Sequence, residues 1–277
     1  GSADGNLQLW ARPAIGVEWQ PSIRMIACRA GHVPGREPHG AEVNALQLRG
    51  TLLLSGGADG AARSWRAQVT VEPGGRLEPV LYALRTLQSQ ETGHAAGLGV
   101  MCLGMVSDER YQGSIVGEWA VTGAQDMKAC VWNVREGSVM QRIKFHQWVM
   151  AVEVALVQLE HSELMGGGGH VVMLTGSYDG VCALWRAEVV QHEGLVLPGR
   201  FTRWRNLSVA GSNPEVDGVL AVSLCPARGL AASGANDGTI RVWRVLGHAG
   251  GHEDPLVTKR AAHSAGVCSL QWRGANG

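Results

Sequence analysis

Residues 55–65 read Ser55-Gly56-Gly57-Ala58-Asp59-Gly60-Ala61-Ala62-Arg63-Ser64-Trp65, and the chain returns to this pattern again and again. Its fixed parts are a Ser or Thr, a Gly, an Asp three residues on, and a Trp six residues after the Asp. It recurs as Thr122-Gly123 to Asp126 to Trp132, as Thr175-Gly176 to Asp179 to Trp185, and as Ser233-Gly234 to Asp237 to Trp243. The second half also appears near the start, with Asp4 six residues before Trp10. Self-similarity of this kind marks a repeat architecture in which each copy is one supersecondary unit.

A second element lies upstream of each copy, a His followed by spaced apolar residues. His39 leads Val43, Leu46 and Leu48; His94 leads Leu98, Met101 and Leu103; His263 leads Val267, Leu270 and Trp272. His146 precedes Val149, Val152 and Val154, one residue out of register. In the fourth copy Glu215 stands where His is expected, ahead of Val219, Val222 and Leu224. These elements read as strands, and so do the apolar runs before each Ser/Thr-Gly, such as Leu52-Leu53-Leu54 and Val171-Val172-Met173-Leu174. Ala58-Asp59-Gly60 and Tyr178-Asp179-Gly180 read as tight turns. The segments ending in Trp are third strands, and stretches such as Val139 to Ile143 supply a fourth. Four short strands per repeat, with no long amphipathic helix between them, predict an all-β propeller of four-stranded antiparallel blades.

These residues resemble the WD40 repeat family, over nearly the whole chain. Gly precedes His94 as in the family motif, but it does not precede His39, His146 or His263, and Gly31-His32 competes with His39 in its blade. The residue after the motif Trp is Ala11, Arg66, Asn133, Arg186 or Arg244, never the family's Asp. The resemblance implies a single propeller domain with blades at about 39–93, 94–145, 146–205 and 206–262, and partial blades at 1–38 and 263–277. Trp-to-Trp spacings of 55, 67, 53 and 58 exceed the family period of about 40–45. The excess is read as insertions at 66–93, 106–118, 157–170 and 187–214, with Gly166 to Gly169 marking a flexible loop. Joining the two ends leaves a blade without its second strand. The expectation is a truncated excerpt of a parent with about six to eight blades.

Bulk composition narrows the function. Lys plus Arg and Asp plus Glu both total 24, so the net charge is zero. Proteins built to bind nucleic acid carry a basic excess, which argues against that class, although Arg-rich loops keep an RNA- or chromatin-associated propeller as an alternative. No apolar run is long enough to span a bilayer, so no membrane partner is expected. The six cysteines form no C-x-x-C pair and several sit in apolar stretches, such as Cys102 and Cys268. Reduced buried thiols point to an intracellular setting, cytoplasmic or nuclear.

Ser55, His39 and Asp59 have the makings of a hydrolase triad, as do Thr175, His146 and Asp179. An enzyme needs one such set, whereas here it recurs blade after blade, and no nucleophile-elbow motif surrounds these positions. The family resemblance implies a structural role instead. Asp would accept from one His nitrogen, the other would meet the Ser/Thr hydroxyl, and that hydroxyl would accept from the Trp indole. The expected sets are His39, Ser55, Asp59 and Trp65; His94, Thr122, Asp126 and Trp132; His146, Thr175, Asp179 and Trp185; and Ser233, Asp237 and Trp243, incomplete for want of a His. His248, His252 and His263 match no metal-ligand spacing, and no cofactor is expected.

The expected function is therefore a non-catalytic scaffold for protein or peptide partners, a monomeric propeller within a larger complex. Partners of WD40 proteins often engage the face lined by the His loops and the turns ending in Asp. Two kinds of position point there. One is the residue before the turn Asp: Ala3, Ala58, Gln125, Tyr178 and Asn236. The other is the second residue after the His, small at Ala41, Ala96 and Ala265 but Trp148 in the third blade. Trp148 and Tyr178 should meet on that face, with Gln125 and Asn236 flanking them. Arg203 and Arg205, near Trp204, are a candidate second patch on a loop, set against the favoured reading of a solvated loop with one buried Trp. One alternative rests on Trp132-Asn133-Val134-Arg135, which matches three of four positions of the W-D-x-R element that docks some WD40 substrate receptors onto cullin–RING ubiquitin ligases. A propeller hydrolase is a further, weaker alternative.

Overall fold

A computed structural model of the chain describes residues 7, 39–71, 77–87, 93–106, 119–157, 170–192, 195–207, 218–245, 255–260 and 262–272. Asp4, Trp10, Cys28, Gly166 to Gly169, Glu215, His248 and His252 lie outside the described residues.

The described residues form four antiparallel sheets in chain order. The first blade is β1 (Val43–Arg49), β2 (Leu52–Gly57), β3 (Ala62–Val71) and β4 (Leu77–Leu87). The second is β5 (Val100–Met105), β6 (Trp119–Ala124), β7 (Lys128–Asn133) and β8 (Ser138–Lys144). The third has five strands: β9 (Val149–Val157), β10 (His170–Ser177), β11 (Cys182–His192), β12 (Leu195–Pro198) and β13 (Thr202–Asn206). The fourth is β14 (Val219–Cys225), β15 (Leu230–Ala235), β16 (Ile240–Arg244) and β17 (Val257–Lys259). This is the blade architecture of a β-propeller.

One register runs through all four blades. The motif hydroxyls face the same place on the first strand, with Ser55 opposite Leu46, Thr122 opposite Leu103, Thr175 opposite Val152 and Ser233 opposite Val222. The turn Asp sits just beyond the second strand and accepts from a backbone N–H two residues on: Ala61, Lys128, Val181 and Thr239. This side-chain-to-backbone bond is why Asp suits the turn. Gly60, Gly180 and Gly238 supply the positive φ that follows it.

Two sequence expectations need correction. The second blade's first strand begins at Val100, not Leu98: Val100 lies opposite Ala124 as Val43 lies opposite Gly57, and Leu98 is exposed. The extra two residues after His94 form a turn in which Leu98 N–H bonds the Ala95 carbonyl. The segments read as insertions at 66–93 and 187–214 also contain strands. They supply the end of β3 and all of β4, and β12 and β13. Here β3 and β11 run past the motif Trp and pair along their extra length, β11 turning its far half to β12 and its near half to β13.

Blades stack through a repeated contact. A Cβ on the motif Gly would strike the first valine of the next blade, Gly56 against Val100, Gly123 against Val149 and Gly176 against Val219, and Gly234 meets Val267 beyond the fourth blade in the same way, each within 2.5–2.6 Å. Only glycine admits that approach. Apolar side chains fill the remaining seam, such as Trp119, Val121, Val131, Val149, Met173 and Phe201 between blades two and three.

Candidate functional site

The motif Ser/Thr and Trp residues are buried inside the blades, and Asp59, Asp179 and Asp237 are half-buried. In the first, His39 Nδ1 donates to Asp59 (3.0 Å), Ser55 donates to His39 Nε2 (2.7 Å), and Trp65 Nε1 donates to the Ser55 hydroxyl (2.8 Å). Arg63 donates to Asp59 (2.7 Å) and also reaches the His39 ring. Burial and then the Arg63 charge hold His39 below its ordinary pKa. Burial would raise the Asp59 carboxyl, but hydrogen bonds from His39, the Ala61 N–H and Arg63 outweigh it and hold the group low. The second blade repeats the chain, with His94 to Asp126 at 2.9 Å, His94 to Thr122 at 2.6 Å and Trp132 to Thr122 at 2.8 Å. Asp126 is also held low, its hydrogen bond from His94 opposing a larger burial effect together with Ala95 and Lys128. These hydroxyls are spent on structure and lie out of solvent's reach, so neither is placed to act as a nucleophile.

The third blade departs from the expectation. His146 is exposed and bonds neither Thr175 nor Asp179. Phe145 takes the place four residues ahead of the first strand that His39 takes ahead of Val43, and its ring lies 5.6 Å from that of Trp185. Phe offers no nitrogen. Thr175 therefore receives Trp185 Nε1 (2.9 Å) and turns its own proton to the Ala183 carbonyl (3.3 Å). In the fourth blade Ser233 Oγ and Trp243 Nε1 are buried and have no partner among the described residues. Of the three candidate metal histidines, only His263 is described, and it is exposed.

The face at the turn end is built by one further repeated bond. The residue before each turn Asp donates its N–H to the carbonyl just ahead of the first strand: Ala58 to Glu42, Gln125 to Gly99, Tyr178 to Trp148 and Asn236 to Gly218, at 2.8–3.0 Å. Trp148 is thus the counterpart of Glu42, Gly99 and Gly218, not of Ala41, Ala96 and Ala265. Where glycine holds that position, the neighbouring turn sits on it: an added Cβ at Gly218 would meet Tyr178 at 3.1 Å, and one at Gly99 would meet Ala58 at 3.1 Å. Trp148 instead projects outward, 40% exposed, its ring 5.6 Å from that of Tyr178 and inclined 39° to it. Ser177 Oγ also donates to the Trp148 carbonyl (3.2 Å), fixing its backbone. Gln125 accepts from the Gly99 N–H (3.0 Å), and Asn236 is exposed.

Residues 210–244 match the family described as "WD domain, G-beta repeat". Residues 210–244 are a WD40 repeat. The match covers the first three strands of the fourth blade and ends one residue past Trp243. Among solved structures the chain is similar to the computationally designed Ika8 protein, at 20% identity and a TM-score of 0.46 over 86% of this chain and 67% of that one. No curated protein matches the chain in sequence.

The register shared by the four blades exposes one residue that motif reading passed over. Met127 follows Asp126 where the other three blades have glycine, and it keeps their positive φ, at 60°. At Gly60 and Gly238 the loop that follows leaves no room for a side chain: an added Cβ would lie 2.6 Å from the Ala95 carbonyl oxygen at Gly60 and 2.2 Å from the His263 carbonyl oxygen at Gly238. Over Met127 that loop is the one led by Phe145, whose N–H bonds the Met127 carbonyl (2.8 Å). Met127 is 44% exposed beside the loop that carries Trp148. A non-glycine residue after the turn Asp was the available signal. Among the described residues no helix is long and apolar enough to cross a membrane. Burial pushes the thiols of Cys102, Cys130 and Cys182 up to about 12.

Proposed function

We propose that this chain is a non-catalytic WD40 scaffold that holds a protein or peptide partner on the turn-end face, anchored by Trp148 and Tyr178. The carrying observation is the paired, outward aromatic rings at a position where two other blades have glycine. Aromatic pairs of this kind concentrate binding energy, because they bury large rigid surfaces at little entropic cost. Met127 extends the apolar patch, and Gln125 and Asn236 give its polar rim. The test compares the wild type with a Trp148→Ala/Tyr178→Ala double mutant by quantitative pull-down, after thermal melts confirm equal folding. Loss of a defined partner set is the expected result. An unchanged set overturns the assignment of the face.

A second reading has a local basis. Arg135 is exposed on the turn after β7, and Asn133 shapes that turn by accepting from the Glu136 N–H (3.1 Å), as an Asp would. A cullin–RING adaptor should then bind the wild type and not Arg135→Ala. No binding by the wild type removes this reading.

A further inference from the structure

The outer edge of the third blade carries a second surface, remote in sequence from Trp148. Thr202–Asn206 forms strand β13 rather than a loop, and Trp204 is 36% exposed on it. The pairing with β11 slips here: Leu184 faces Arg205 and Trp185 faces Arg203, which leaves Trp204 in a bulge. Bulges re-aim a side chain out of the regular alternation. The Arg186 guanidinium lies 5.5 Å and the Arg205 guanidinium 5.6 Å from the centre of the Trp204 ring. Arg203 lies 4.9 Å from the centre of the Trp185 ring. Three guanidiniums are therefore held on two indoles.

Stacking of this kind orients a guanidinium without consuming its N–H donors, which stay in the ring plane and free for bidentate contact with an oxyanion. Among the described residues Arg186 and Arg203 make no ion pair, although the chain as a whole is neutral. Residues 195–207 hold Arg200, Arg203 and Arg205 and no Asp or Glu. Among the described residues β13 pairs only with β11, so its other edge offers backbone donors and acceptors.

We infer that this edge docks an extended acidic peptide segment of a partner protein, its carboxylates held by Arg186 and Arg203 and its backbone running along β13. A peptide fits better than a single-stranded nucleic acid. Base stacking needs a bare aromatic face, and the Trp204 ring has a guanidinium from Arg186 and another from Arg205 against it. An edge strand, by contrast, is a template for strand addition.

The test uses the 277-residue chain and a fluorescent ten-residue peptide in which Glu pairs alternate with Val pairs, so that carboxylates project to both faces of the added strand, read by anisotropy. The R186Q/R203Q variant should bind at least about tenfold more weakly, as expected for loss of charge-assisted pairs. R186K/R203K keeps the charge but loses the planar fork, and should weaken binding at least about threefold. Both substitutions lie on exposed side chains, and thermal melts confirm that the variants fold. The inference is overturned if the wild type shows no saturable binding, or if R186Q/R203Q binds as the wild type does. It is equally overturned if the Lys variant binds as the wild type does, or if an oligothymidine displaces the peptide at lower concentration than unlabelled peptide. Because Trp148 and Tyr178 are untouched, the Trp148→Ala/Tyr178→Ala variant should bind the probe normally, which separates this surface from the face proposed above.

Discussion

A hydroxyl buried beside an indole costs free energy unless both groups find partners. Ser55 and Thr122 each accept from an indole and donate to a histidine, so every polar atom of those sets is satisfied. Among the described residues Ser233 has neither, and Trp243 shares its lack. Thr122→Val strands His94 Nε2 and Trp132 Nε1, and should cost about 1–3 kcal/mol in urea unfolding. Ser233→Ala removes an already unpaired group and should be neutral or stabilising; an equal loss for both variants would sink this account. The same sets make stability depend on pH. Asp59 and Asp126 titrate below the ordinary 3.8, so their contribution is complete above that value and is lost as pH falls through their folded values. His39 is held below 6.5, so the fold favours the neutral ring, and its share erodes once pH drops below that value. Urea midpoints measured from about pH 8 to about pH 5 should decline for the wild type and decline less steeply for His39→Gln. The positions of the Ser/Thr, Asp and Trp residues follow from the motif spacing, and their bonding together is what the family resemblance implied. The exchange of Phe145 for His146 was not, because a motif search follows residue type while the fold counts residues back from the strand.

At the level of strands and blades, the repeat made the four-stranded sheets readable, since each copy has turn signals between apolar runs. Outer strands were harder. β13 reads Thr-Arg-Trp-Arg-Asn, almost wholly polar, and its strand character comes from pairing with β11 rather than from any apolar alternation. Burial on one face is what writes a period of two into a sequence, and a rim strand has little of it. The motif glycine is the opposite case, small because of the blade that follows. A Cβ at Gly123 would come within 2.5 Å of Val149 Cγ1 and 2.6 Å of Cys102 Sγ. Gly123→Ala should therefore destabilise the chain by about 1–3 kcal/mol, as overpacking does. Adding Val149→Ala should recover part of that loss, so the two changes should be non-additive in a double-mutant cycle. Simple additivity would show that the glycine serves its own strand instead.

Across the molecule, blades are joined by side chains that reach into the next blade's backbone. Gln47 accepts from the Met105 N–H (2.7 Å), and Glu153 accepts from the Leu224 N–H (2.7 Å), at matching register positions. At the same position the second blade has Gly104, whose added Cβ would meet Val154 at 2.9 Å. That seam is tied further out, where the Gln141 amide both donates to the Phe201 carbonyl (2.9 Å) and accepts from its N–H (2.7 Å). In arrays where units touch only their neighbours, stability is a sum of local terms. Gln141→Leu should raise amide hydrogen exchange at Phe201 and along β8 and β13 while leaving β1 and β15 protected; uniform deprotection would mean that the blades open as one body. The valines filling the first three glycine notches, Val100, Val149 and Val219, are also the opening residues of the blades they belong to. Every unit thus presents the same plug at its front and the same socket at its back. A tandem copy of the coding segment from one socket to the next arrives with both mating parts in place, so unequal crossing-over lengthens or shortens such an array without inventing a new boundary.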